Sequence, residues 1–201
     1  MIRFSKFLKE ESKSKTIVMH YGRMNPVTQG HEENVNNTVK MARKAGADHV
    51  IVASHSQDKD KNPLSSQQKL THLRRAFPGV NVQVASKEKP TIMHHAEAAH
   101  KAGYEHLVVT AGADRVPEYT KLLHKYNGQA DKSGKVPYNF KSIKVVSTGE
   151  RREGISGSDM RRHAREGNYS EFKSNLPSKI KSNESHSKEI YNDTRKGMGL
   201  D

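Results

Sequence analysis

Five short apolar runs punctuate this chain, and the segments between them carry helical spacing. Thr16-Ile17-Val18-Met19-His20 is β-branched and apolar, the pattern of a buried strand. His49 to Ser54 and His106 to Thr110 repeat that pattern, and Ile143 to Ser147 closes the set. Val80, Val82 and Val84 alternate with polar residues, which predicts a strand nearer the sheet edge. Helices are expected from near Gly30 to Lys44, from Ser65 to Phe77, from Thr91 to Ala102, over Pro117 to Tyr126 and from Ser156 to Arg165. Ser65 with Gln68 three residues on is an N-cap signature, and Leu70 and Leu73 are the apolar positions of the helix it opens. Gly103 stands where glycine ends helices. Strands alternating with helices at this spacing predict right-handed βαβ units and an α/β fold on a parallel sheet.

Other segments break the pattern. Met1 to Lys15 sets Ile2, Phe4, Phe7 and Leu8 ahead of a charged run, predicting an amphipathic arm followed by a linker. Asn127 to Asn139 is rich in turn formers and lacks periodicity, so a long exposed loop is expected. Tyr169 to Leu176 reads as a short helix. From Pro177 to Asp201 the chain is polar and basic, with a weak helical patch around Ile190-Tyr191, and reads as an extended or partly disordered arm. The expected division is therefore an arm and linker over 1–15, one domain over 16–176 and a basic tail over 177–201.

Charge narrows the partners. Lys and Arg number 35 against 22 Asp and Glu, a net charge of +13, which points to nucleotides, polyphosphates or nucleic acid. The absence of cysteine excludes disulfides and thiolate metal sites. The 12 histidines are scattered, and the adjacent pair His94-His95 points in two directions on a helix, so no protein metal site is read. No stretch approaches the roughly 20 apolar residues that span a bilayer, and the N-terminus lacks the apolar core of a secretory signal. Cytoplasmic placement is the expectation.

The chemistry concentrates in Gly22 to His31, GRMNPVTQGH, at a strand-to-helix crossing where backbone N–H groups and the positive helix end favour phosphate. This stretch resembles the first signature of the nucleotidyltransferase superfamily, (H/T)xGH. Ile155-Ser156-Gly157-Ser158-Asp159-Met160-Arg161 resembles the second, roughly ISxTxxR. The two in this order, about a domain apart, are far more specific than either alone. Gly22-Arg23 and Asn62-Pro63-Leu64-Ser65 are most similar to archaeal-type nicotinamide mononucleotide adenylyltransferases. The closing RKGMGL and the general build resemble small nucleotidyltransferases of large tailed bacteriophages, which would place the protein in an infected bacterial host.

The resemblance implies a Rossmann-like three-layer domain with strand order 3-2-1-4-5. It also implies transfer of a nucleoside monophosphate, AMP from ATP in the first reading, to a phosphorylated acceptor led by nicotinamide mononucleotide. His31, Thr28 and Arg161 would be catalytic. Gly22, Arg23, Gly30, Ser156 and Ser158 would hold phosphate, and Asp114, Gly112 and Asn62 would face the acceptor. Thr28 stands where many members have His, and Ser158 where Thr is commoner; both keep a hydroxyl. Asp114 fits equally as an N-cap of the following helix. Mg²⁺ would be bound mainly through the triphosphate. The family's dimers, tetramers and hexamers lean toward a homo-oligomer. Two alternatives stand beside this reading: a CTP-dependent cytidylyltransferase, and a basic nucleic-acid-binding protein that uses the fold as a scaffold. Against the second, no basic-aromatic interleaving is present and tryptophan is absent.

Overall fold

The computed structural model describes residues 15–149 and 154–200. The arm expected over 1–15 lies outside them, apart from Lys15. Five strands, β1 (Thr16–Gly22), β2 (Asp48–Ala53), β3 (Val82–Val84), β4 (His106–Ala111) and β5 (Ser142–Ser147), form one sheet in the order β3-β2-β1-β4-β5. Every pairing is parallel. The α/β, Rossmann-like expectation therefore holds, with the short β3 at the edge.

Strand alternation divides the interior into two layers. On β2, Ile51 and Ala53 face α1 (Gln29–Ala45) and α2 (Ser66–Ala76), meeting Val35, Val39 and Leu73. Val50 and Val52 face the other way, with Ile17 and Met19 of β1 and Leu107 and Val109 of β4. That second layer is closed by Ile92, Ala96 and Ala99 of α3 (Ile92–Lys101) and Leu123 of α4 (Val116–Lys125). Strands buried on both faces need apolar residues at nearly every position, which is why β1, β2 and β4 read as continuous runs rather than alternating ones. Helix α1 ends on Gly46 at φ 60°, a left-handed turn where a Cβ would be strained.

Two expectations are corrected. Residues 177–200 are not an extended or disordered arm. After α5 (Gly157–Arg165) and α6 (Tyr169–Ser174), the chain forms α7 (Ser178–Lys181) and α8 (Glu184–Gly197). Ile180 and Ile190 are fully buried with Met160 and Phe172 against the α1 side of the sheet. The polar composition hid this because the few apolar residues all fall on one stripe, and tertiary packing stabilises a helix that propensity alone leaves marginal. Residues 127–139 are not wholly exposed either. Tyr138 is buried, with its hydroxyl donating to the Leu123 carbonyl at 3.0 Å, and the Asn127 side chain brackets Phe140 by donating to its carbonyl and accepting from its N–H.

Candidate functional site

Where the strand order reverses, between β1 and β4, a cavity of about 380 Å³ opens at the carboxyl ends of the strands. Gly22, Arg23, Thr28, Gly30, His31, Gly112, Asp114, Ser156, Ser158 and Arg161 all line it. Two segments more than a hundred residues apart thus meet around one space. Asn62 is the exception: it is buried in the loop after β2, and its amide donates to the Asp58 carboxylate at 2.5 Å.

The first wall is the start of α1. Thr28 is its N-cap, and the cap is reciprocal: the Thr28 N–H donates to His31 Nδ1 at 3.0 Å, and the His31 N–H donates to Thr28 Oγ1 at 3.4 Å. Because Nδ1 accepts, the ring proton sits on Nε2, which makes that nitrogen a donor. Thr28 therefore sets the tautomer of His31 in addition to capping the start of the helix. The Gln29 N–H is taken by the Asn175 carbonyl. Among the described residues, the Gly30 N–H has no acceptor, and it faces the cavity side of the positive helix end.

The second wall is the start of α5, built the same way. Ser156 Oγ donates to Asp159 at 2.6 Å and accepts from the Asp159 N–H at 3.1 Å. That hydroxyl makes both side-chain bonds of the cap. The N–H groups of Gly157 and Ser158 have no acceptor among the described residues and border the cavity. Arg161, one turn on, donates to the Asn25 carbonyl at 2.9 Å and to Ser158 Oγ at 3.0 Å. It is half-buried, and burial first, then the neighbouring Arg23, push its pKa below the usual guanidinium value. Such crowding of cations is relieved by an anion.

Asp114 lies in a 3₁₀ turn at Ala113–Arg115, and the N-cap of α4 is Arg115 without a side-chain cap. The capping alternative for Asp114 is thereby set aside. A Cβ on Gly112 would stand 2.9 Å from Asp114 Oδ1, so the glycine admits the carboxylate at the cavity edge.

Several lining residues carry no sequence signal. Met24 holds φ 48°, a left-handed backbone that a non-glycine side chain rarely adopts, and it is buried within the crossing. Asn25 is buried and clasps Leu64 from both sides, accepting from its N–H at 2.9 Å and donating to its carbonyl at 3.1 Å. At the cavity floor, His20 Nδ1 lies 3.2 Å from Thr110 Oγ1, which in turn meets Thr38 Oγ1 at 2.7 Å. Burial pushes the His20 pKa down to about 4, so its imidazole is neutral near pH 7. Asn25 stands inside the first signature and so was within reach of sequence reading; His20 was buried in an apolar strand pattern. Among the described residues, no group of three or more His, Cys, Asp or Glu could hold a metal ion, and no helix is long and apolar enough to cross a membrane.

A family model described as cytidylyltransferase-like matches residues 19–163, which takes in both walls of the cavity. No curated protein matches the chain. Among solved structures, one similar chain is TmcAL of Thermotoga maritima bound with alpha-thio ATP, at 12% identity and a TM-score of 0.50, covering 92% of this chain and 56% of that one. A macrolide-efflux protein from Streptococcus pneumoniae aligns at 18% identity and a TM-score of 0.47, covering 82% of this chain and 56% of that one. This chain thus spans little more than half the length of either, and the likeness is one of fold.

Proposed function

The chain belongs to the cytidylyltransferase-like family, and from that premise we propose that it transfers a nucleoside monophosphate from a nucleoside triphosphate to a phosphorylated acceptor. The observation that carries this reading is the pairing of two helix N-termini, each with N–H groups that have no acceptor among the described residues, around one cavity that also holds Arg23, His31 and Arg161. In the reaction an acceptor phosphate oxygen attacks the α-phosphorus, a new P–O bond forms, the bond from the α-phosphorus to the bridging oxygen breaks, and pyrophosphate leaves with the electron pair. No covalent enzyme intermediate is needed. The protein's part is to hold the two substrates in line and to meet the charge that builds on oxygen.

The Gly30, Gly157 and Ser158 amides cradle the triphosphate. His31 Nε2–H donates to it, fixed in that tautomer by Thr28, and Arg161 bridges from the opposite wall, oriented by Asn25 and Ser158. Mg²⁺ bound mainly through the triphosphate would supply further charge neutralisation, which suits a cavity whose carboxylates among the described residues are Asp114 and Glu33 rather than a cage. ATP with nicotinamide mononucleotide is the first substrate pair, on the likeness of the Gly22-Arg23 and Asn62-Pro63 segments to archaeal-type adenylyltransferases; the related TmcAL fold was crystallised with an ATP analogue. CTP is the second donor, since the family model that matches is cytidylyltransferase-like.

The test is pyrophosphate release from purified protein with Mg²⁺ and ATP or CTP across a panel of phosphorylated acceptors. Turnover with one pair, lost on His31→Ala and on Arg161→Ala, is the expected result. Silence across the panel despite tight nucleotide binding would favour the scaffold reading that the charge of +13 also allows.

A further inference from the structure

His20 stands near the end of β1 on the cavity floor, 3% exposed, and the transfer of phosphorus leaves it without a part. The hydrogen bonds beneath it fix where its proton sits. Thr38 Oγ1 lies 2.7 Å from the Asn34 carbonyl, which only accepts, so Thr38 donates there. The 2.7 Å contact between Thr38 Oγ1 and Thr110 Oγ1 then uses the Thr110 proton. Thr110 is left with lone pairs for His20 Nδ1 at 3.2 Å, so Nδ1 is the donor. Three contacts take three protons, and no other assignment fills all of them. With the ring neutral near pH 7, Nε2 carries a bare lone pair.

That lone pair is open to the cavity. Nε2 has no hydrogen-bond partner among the described residues. His49, His72, His95 and His163 also hold a ring nitrogen without a partner, but theirs are sealed inside the protein, whereas His20 Nε2 is not and its ring lines the cavity. A Cβ at Gly22 would stand 3.4 Å from Nε2, so glycine leaves the approach to that nitrogen uncovered. The floor is thus opposite in polarity to the walls. The walls present amide N–H groups, His31 Nε2–H and the Arg23 and Arg161 guanidinium groups, all suited to phosphate oxygens. A buried acceptor repels such oxygens and is satisfied by a hydroxyl, an amino group or an amide N–H.

We propose that His20 Nε2 accepts a hydrogen bond from an N–H or O–H group on the base, sugar or amide portion of a substrate, and so selects which substrate seats on the cavity floor. This rests on the cavity being a transferase site, which makes a nucleoside triphosphate and its acceptor the two sources of such a group.

The full chain is studied with ¹⁵N-labelled histidine, with His20→Gln identifying the His20 resonances. In the free protein Nδ1 should resonate as a protonated nitrogen and Nε2 as an unprotonated one. ATP and CTP with Mg²⁺ are added as donors and nicotinamide mononucleotide as acceptor; the one that moves the Nε2 resonance identifies the source of the hydrogen bond. Magnesium tripolyphosphate, which has neither base nor sugar, should leave Nε2 unmoved. By titration calorimetry, His20→Leu should weaken the ligand that moves Nε2 by about 5- to 100-fold, the span for leaving a buried donor unmet, with tripolyphosphate unchanged. His20→Gln, which can present an oxygen to the same group, should retain most of the affinity. If His20→Leu does not fold, the resonance measurement decides by itself. A free protein with the proton on Nε2, movement of Nε2 by tripolyphosphate, no movement by any of the three ligands, or equal losses for tripolyphosphate and nucleotide in His20→Leu would each overturn the proposal. Turnover without movement of Nε2 would remove His20 and leave the transferase reading, whereas movement without turnover would sink the transferase reading and leave the role of His20 standing.

Discussion

His31 and Thr28 act as one unit at the residue scale. The hydrogen bond from the Thr28 N–H to Nδ1 is made by backbone and survives most substitutions at position 28, while the hydroxyl cap does not. Thr28→Val should therefore cost about 1 kcal/mol of stability in urea melts, the usual value of an N-cap, with a small loss of turnover. His31→Ala should leave the fold intact and lower kcat by about 10²- to 10³-fold, as for removal of one donor to developing charge. Equal losses in stability from the two variants, with no separation in kcat, would reduce His31 to a cap residue. His31, Arg161 and Ser158 were legible in the sequence because a motif fixes both residue type and spacing. His20 and Lys69 were not. Lys69 is buried, with its ammonium donating to the Ser54 and Ser56 carbonyls, and burial lowers its pKa to about 8. On a helix wheel it reads as a solvated charge, because the carbonyls that receive it belong to a loop brought there by tertiary structure.

At the scale of elements, the helical starts and the strands were readable, since caps and periodicity are local, while the strand order came only with the family resemblance. Ser65 caps as its spacing predicted, and Ser156 caps α5 in the same way. What escaped was α8, whose partners lie on α2 and α5. His72 Nε2 meets Asp193 at 2.8 Å and Arg75 meets Glu189 at 2.6 Å. Burial outweighs Asp193 and lowers the His72 pKa, so this contact near neutral pH is a hydrogen bond to a neutral ring rather than an ion pair. The apolar anchor is Ile190, fully buried. Ile190→Ala should destabilise the whole domain by about 2–5 kcal/mol, the range for emptying a core site of this size. A loosely attached arm would predict no change in the urea midpoint, and that result would detach α8 from the core.

Across the whole molecule, three histidines, the buried His20 and His72 and the partly buried His95, have pKa values lowered chiefly by burial. The unfolded chain takes up protons on them near pH 6.5 while the folded chain does not, so stability present at neutral pH falls as the pH drops below about 6.5. For His20 the loss continues to about pH 4 and is bounded on the order of 3 kcal/mol. Thermal melts from pH 7 to 4 should show this slope, and His20→Gln should flatten it; an identical slope in the variant would remove His20 from the account. The central claim concerns which phosphorus is attacked, and label position answers it most directly. With donor triphosphate labelled at the α-phosphorus or at the γ-phosphorus in parallel, the account predicts α-label in the acceptor product and γ-label in pyrophosphate. Release of γ-label as inorganic phosphate would mean hydrolysis, and γ-label in the acceptor would mean phosphoryl transfer; either, with α-label left in the nucleoside diphosphate, would contradict nucleotidyl transfer by this cavity.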